Sequence, residues 1–116
     1  MQATDIRVFI PSQDYQESQA FYQALGFAMD VASDKLSIFS LGECTFFLQD
    51  YFDPALASSL MLQLIVNDID DAFETIKSIS SPKVKYQPIK QEPWGKVIYL
   101  WGPAGELWHI TQLNAG

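Results

Sequence analysis

The sequence predicts an α+β domain: two βαβββ modules forming a curled mixed sheet around a cleft. Three observations point there. A strand candidate, a capped helix with an apolar face and three short strands occur in that order twice. The pair Ala20-Phe21 in the first helix recurs as Ala72-Phe73 at the equivalent point of the second. A length of 116 residues suits one domain with a real core and is too short for two independent ones.

Taken in order, Ile6-Arg7-Val8-Phe9-Ile10 is a strand candidate closed by Pro11. Asp14 can cap a helix, and Glu17 three residues on completes a capping box. Ala20, Phe21, Ala24 and Leu25 give helical spacing, and Gly26 supplies the stop. Short strands are expected at about Phe27–Val31, Leu36–Ser40 and Thr45–Gln49, separated by Ser33-Asp34 and Gly42-Glu43. This first module covers about residues 1–49, and a connector containing Asp53-Pro54 and Ser58-Ser59 covers 50–59.

The second module, about residues 60–116, repeats the order. Leu60–Val66 reads as a strand, Asp68 as a cap, and Ile69, Ala72, Phe73 and Ile76 as one apolar helix face. Val84–Tyr86, Lys96–Trp101 and Leu107–Gln112 follow as strands. A four-stranded sheet with one helix on one face leaves its other face uncovered. Two such modules can curl their bare faces around a cleft, so the architecture makes a pocket before any residue is singled out.

Composition narrows the function. Residues 1–60 hold eight acids against Arg7 and Lys35, and residues 61–116 hold six acids against five Lys, for a net charge of −7. No basic run exists, which excludes a phosphate-tracking nucleic-acid surface. Acidity can attract cationic small molecules and also serves plain solubility. Eight Phe, five Tyr and three Trp exceed what a small core requires, so the surplus belongs to a surface, an interface or a pocket. The lone Cys44 allows no intrachain disulfide, and its apolar neighbours Phe46, Phe47 and Leu48 lead us to expect a buried, inert thiol. There is no basic-then-apolar leader and no apolar stretch of membrane-spanning length, so no membrane association and a cytoplasmic location are expected.

Three motifs carry a resemblance. Ser18-Gln19-Ala20-Phe21-Tyr22-Gln23-Ala24-Leu25-Gly26-Phe27, Val66-Asn67-Asp68-Ile69-Asp70 and Gly102-Pro103-Ala104-Gly105-Glu106 occur in the order and spacing of the vicinal-oxygen-chelate superfamily. The chain resembles that superfamily, which comprises glyoxalases, bleomycin-resistance proteins and extradiol dioxygenases, over nearly its whole length. In the last motif Gly102 stands where the superfamily usually has Asp, and Glu106 where it usually has Asn. Gln91-Glu92-Pro93-Trp94-Gly95 is similar to a segment of bleomycin-resistance proteins, as is Pro11-Ser12-Gln13-Asp14 to their opening loop.

The resemblance implies a homodimer that sequesters a flat organic molecule, cationic ones included, in an aromatic cleft without chemistry and without a cofactor. The alternative it implies is a metal-dependent lyase, isomerase or dioxygenase. Carried over by resemblance, the metal-ligand positions fall on Arg7, Met61 and His109, which makes no metal site the expectation. Arg has no free acceptor, Met is a soft ligand, and a lone imidazole does not hold a catalytic metal. Gln63 would take the place of Met61 only with a shift in register.

The expected ligand-binding set is Arg7, Phe9, Phe39, Phe47, Met61, Trp94, Tyr99, Trp101 and His109. Strand alternation puts Leu107, His109 and Thr111 on one face, by resemblance the cleft face, and Trp108, Ile110 and Gln112 on the other. His109 is then either hydrogen-bonded to backbone or in contact with ligand. Arg7 either reaches solvent, pairs with a carboxylate such as Glu106 or Glu43, or meets an anionic ligand group. Trp94, in a loop after a Pro, suits a ligand or dimer contact or local packing, and Trp101 can line the cleft mouth. Tyr51 and Phe52 fall on the connector, as an interface or a lid. Phe46 and Phe47 must point to opposite faces, one into the core and one into the cleft.

Overall fold

The structure, a computed structural model, describes residues 1–115. The first half runs β1 (Phe9–Pro11), α1 (Tyr15–Leu25), β2 (Ala28–Ser33), β3 (Leu36–Leu41) and β4 (Cys44–Gln49). After α2 (Pro54–Ser59) come β5 (Met61–Ile65), α3 (Ile69–Lys77), β6 (Lys85–Tyr86), β7 (Lys90–Glu92), β8 (Gly95–Trp101) and β9 (Leu107–Leu113). The first sheet has the order β1-β4-β3-β2 and the second β5-β9-β8-β6, with β7 also paired to β8. In each half the opening strand pairs parallel with the last one, β1 with β4 and β5 with β9, while the other pairings are antiparallel. That shared crossover is the internal repeat in structural form.

Capping explains where the helices begin. The Asp14 carboxylate accepts the Glu17 N–H at 3.1 Å, and Asp68 accepts from Asp70 and Asp71 at 3.0 and 3.2 Å. Gly26 ends α1 at φ 117°, a conformation closed to most side chains. The reciprocal half of the capping box does not form, because the Glu17 side chain serves elsewhere. It accepts from Ser81 Oγ at 3.2 Å and pairs with Lys83 at 3.2 Å, tying α1 to the loop before β6.

Three boundaries differ from expectation. The first strand starts at Phe9 rather than Ile6, since its parallel partner β4 offers register only from Phe47 onward. The connector contains a helix turn, capped by Asp53 with Pro54 in its first turn. β7 was not expected; it forms a hairpin with β8 through the two-residue turn Pro93-Trp94.

One core unites both halves. Tyr22, Phe27, Phe39 and Phe46 from the first module meet Trp108 and Ile110 of β9 with Ile98 and Leu100 of β8. Trp108 lies 5.8 Å from the Tyr22 ring and 5.6 Å from the Phe46 ring, centroid to centroid. The helix-side faces of both sheets therefore point into shared interior. Their opposite faces point away from it: Phe9, Met61 and Ile65 are exposed there, whereas Val97 and Thr111 are fully buried.

Candidate functional site

Register identifies what lies on these opposite faces, because directly paired residues point to the same side of a sheet. On the first sheet Phe9 pairs with Phe47, and Phe47 with Ile38. The Phe9 and Phe47 rings stack at 4.7 Å with a 23° interplanar angle, and Phe9 remains 49% exposed. The Arg7 guanidinium lies over the Phe47 ring, 5.6 Å from its centroid, a cation–π contact. Its ion-pair partner is Asp5 at 3.2 Å, both side chains being largely exposed.

On the second sheet Gln63 pairs with His109, His109 with Tyr99, and Met61 with Leu107. Tyr99 meets the His109 ring edge-on at 4.9 Å. Met61 is 65% exposed and shares a shallow cavity with Gln63 and His109. The His109 Nε2 is shielded from solvent yet has no hydrogen-bond partner among the described residues. Trp101 projects from the same face at the far end of β8, where it pairs with Leu107.

Trp94 occupies the tip of the β7–β8 hairpin and is 46% exposed. The turn is held from below: Asn114 donates its side-chain amide to the Pro93 carbonyl at 2.8 Å and its backbone N–H to the Trp94 carbonyl at 3.0 Å. Gly95 follows because nothing larger fits. A Cβ there would lie 2.2 Å from the Gln112 carbonyl oxygen and 2.9 Å from the Leu113 Cα, both rigid strand backbone.

Several expectations need correction. Phe39 is fully buried, stacked on Phe46 and tilted against Tyr22, so it belongs to the core and not to a ligand surface. Phe46 is the inward member of its pair and Phe47 the outward one. Cys44, at the start of β4, is exposed rather than buried. Arg7 pairs with neither Glu106 nor Glu43. Trp108 packs behind its strand, as alternation required.

Glu106 has a different occupation, which the sequence alone did not disclose. It is fully buried beneath the Gly102–Gly105 turn, where it accepts from Tyr22 Oη at 2.7 Å and from the Ala104 N–H at 3.0 Å. Tyr22 in turn accepts from Trp108 Nε1 at 3.0 Å, closing a chain of three side chains through the core. Burial pushes the Glu106 carboxyl above its ordinary range, although the hydrogen bonds from Tyr22 and the backbone pull the other way. Burial, with the adjacent carboxylate, likewise drives the Tyr22 phenol well up. Gly102 makes room for this arrangement, since a Cβ there would fall 2.5 Å from Glu106 Cδ. Gly102 and Glu106 are thus sterically coupled: the missing side chain at one makes room for the carboxyl of the other.

The donors at hand do not fit a divalent metal. Of the three expected ligand positions, Arg7 pairs with Asp5 and lies over the Phe47 ring, Met61 offers only a thioether, and His109 alone offers an imidazole nitrogen. No group of three or more His, Cys, Asp or Glu side chains converges among the described residues.

The strand order and the paired modules are those of the bleomycin-resistance/glyoxalase fold, as solved structures show. No protein-family profile matches the chain, and no curated protein sequence does. Solved structures do. A bleomycin-binding protein in complex with bleomycin superposes with a TM-score of 0.79 at 24% identity, covering 97% of this chain and 100% of that one. The bleomycin-binding protein of Streptomyces verticillus in complex with copper(II)-bleomycin gives 0.81 at 17%, covering 98% and 99%. The fosfomycin resistance protein FosX of Listeria monocytogenes, with Mn(II) and sulfate, gives 0.78 at 15%, covering 98% and 93%. The fold thus serves both drug-binding and metal-holding proteins.

Proposed function

We propose that this chain is a non-catalytic small-molecule binding protein that sequesters a flat organic ligand, cationic ones included, against these aromatic faces. The observation that supports this most is the Phe9–Phe47 stack, which leaves Phe9 49% exposed with the Arg7 guanidinium over Phe47. A stacked pair offers planar contact area at little entropic cost, and each aromatic or cation–π contact adds about 0.5–2 kcal/mol. Met61, Tyr99 and His109 present a second such surface.

The two faces turn away from the common core, so a cleft between them needs a second copy, with the first sheet of one chain over the second sheet of the other. We therefore propose a homodimer in the cytoplasm, where the exposed thiol of Cys44 stays reduced. Trp94 at its hairpin tip would close one end of the cleft. The lack of a fitting donor set favours binding over metal-dependent catalysis.

Fluorescence titration tests this reading. Bleomycin and a panel of planar aromatic cations are added to the full chain at micromolar concentration, with Phe47→Ser as control. Emission changes that saturate in the native chain and weaken in the variant support it. No change with any member of the panel rejects sequestration of this ligand class.

A further inference from the structure

A cavity of about 830 Å³ opens at the Trp101 end of β8, and its lining includes Lys83, Lys85, Tyr86, Gln87, Trp101 and Pro103. That volume falls in the range of small-molecule sites, roughly 300–1,000 Å³. Its charge is opposite to that of the molecule. The chain carries 14 acids against seven Lys and Arg, yet two Lys and no carboxylate line this cavity. The nearest acids are committed elsewhere: Glu17 is paired with Lys83 at 3.2 Å, and Glu106 is turned inward under the Gly102–Gly105 turn to Tyr22.

Register sets the geometry. Lys85 on the edge strand β6 is the direct partner of Trp101 on β8, so the ammonium stem and the indole rise from the same side of the sheet. Lys85 forms no ion pair among the described residues. A free cation beside an aromatic face, with a Pro-containing turn as the adjoining wall, recognises a flat ring that bears a negative group.

We infer that this cavity is a binding site for planar aromatic anions, such as aryl carboxylates or sulfonates. The ring lies against Trp101, and the anionic group meets Lys85, with the half-neutralised Lys83 behind it. All of its lining belongs to one chain, with Trp101 on the sheet face that also carries Tyr99 and His109.

Three size-matched compounds test it: 1-naphthoate, 1-naphthylmethylammonium and 1-naphthalenemethanol, each titrated into the full ¹⁵N-labelled chain. Expected is tightest binding by naphthoate, with shifts of the Trp101 indole N–H and the Lys85 and Tyr86 amides. Lys85→Gln should weaken it by roughly tenfold, the scale of a hydrogen bond to a charged group, and Lys85→Arg should restore it. Raised ionic strength should weaken naphthoate binding to the native chain, a readout that needs no variant. Equal binding of the alcohol or the ammonium compound at Trp101 would overturn the assignment. So would naphthoate shifts confined to Phe9, Phe47 or Trp94, or affinity that is indifferent to both salt and Lys85. The aromatic-cleft reading fails on different signals, those of Phe47 and Trp94, so either can fall without the other.

Discussion

Glu106 and Gly102 show how a turn reaches into the core. Glu106 holds more proton in the folded than in the unfolded chain, because burial raises its carboxyl. Its contribution to stability is then fully present below the unfolded value and is lost as pH rises through the folded one. Glu106→Gln removes the buried charge but has one acceptor oxygen where the carboxylate offers one to Tyr22 and another to Ala104, so its amide NH2 opposes one of those donors. The melting temperature of the variant relative to the native chain should rise from pH 4 to pH 8, as the native carboxyl is forced to ionise in its buried site. A variant that loses ground against the native chain as pH rises would contradict the assignment. Gly102→Ala should cost about 1–3 kcal/mol by forcing the carboxyl aside. Combined with Glu106→Asn, whose shorter side chain retracts from position 102, most of that penalty should disappear in a double-mutant cycle.

At the scale of elements, the Pro93-Trp94 hairpin combines a rigid base with an exposed aromatic tip. Gly95→Ala drives a Cβ into the β9 backbone at Gln112 and Leu113, and urea denaturation should show a loss of about 2–4 kcal/mol. Trp94→Ala acts on the exposed side of the same turn. It should change stability by less than about 1 kcal/mol while weakening any cleft ligand, as paired denaturation and titration would show. Both helices of the repeat were legible because Asp14, Asp68 and Gly26 act locally, through caps that need no partner strand. α2 was legible in principle, since Asp53-Pro54 is itself a cap followed by a first-turn Pro. β7 was not, because Lys90-Gln91-Glu92 is a polar edge segment whose strand character comes only from β8. Alternation separated Phe46 from Phe47 without saying which of them faced the core, and Phe39, expected to meet ligand, is buried. That choice is made by Tyr22 and Trp108, residues 17 positions before and 69 positions after Phe39 in the chain. The role of Glu106 was hidden for a related reason: a carboxylate in a turn reads as solvated until its distant partners are in place.

For the whole molecule, the repeat explains why a cleft should exist and why one chain leaves it incomplete. Both modules spend their helix-side faces on the common core, which leaves Phe9 of one sheet and Met61 and Ile65 of the other exposed on the opposite faces. Light scattering should therefore find a dimer at micromolar concentration, and Phe47→Glu should shift it toward monomer. A native chain that stays monomeric would leave those faces as separate shallow surfaces. The fold itself was legible because three weak motifs recur in the right order. The ligand was not, since under the proposed function it depends on side chains from two strands of each sheet and from a second copy. The central claim is retention without conversion. Equilibrium dialysis against a panel of planar aromatic compounds, with mass spectrometry of both compartments, tests it most directly. The prediction is that at least one compound concentrates with the protein at micromolar levels and is recovered chemically unchanged. Retention of none, or recovery of a transformed product, would contradict it.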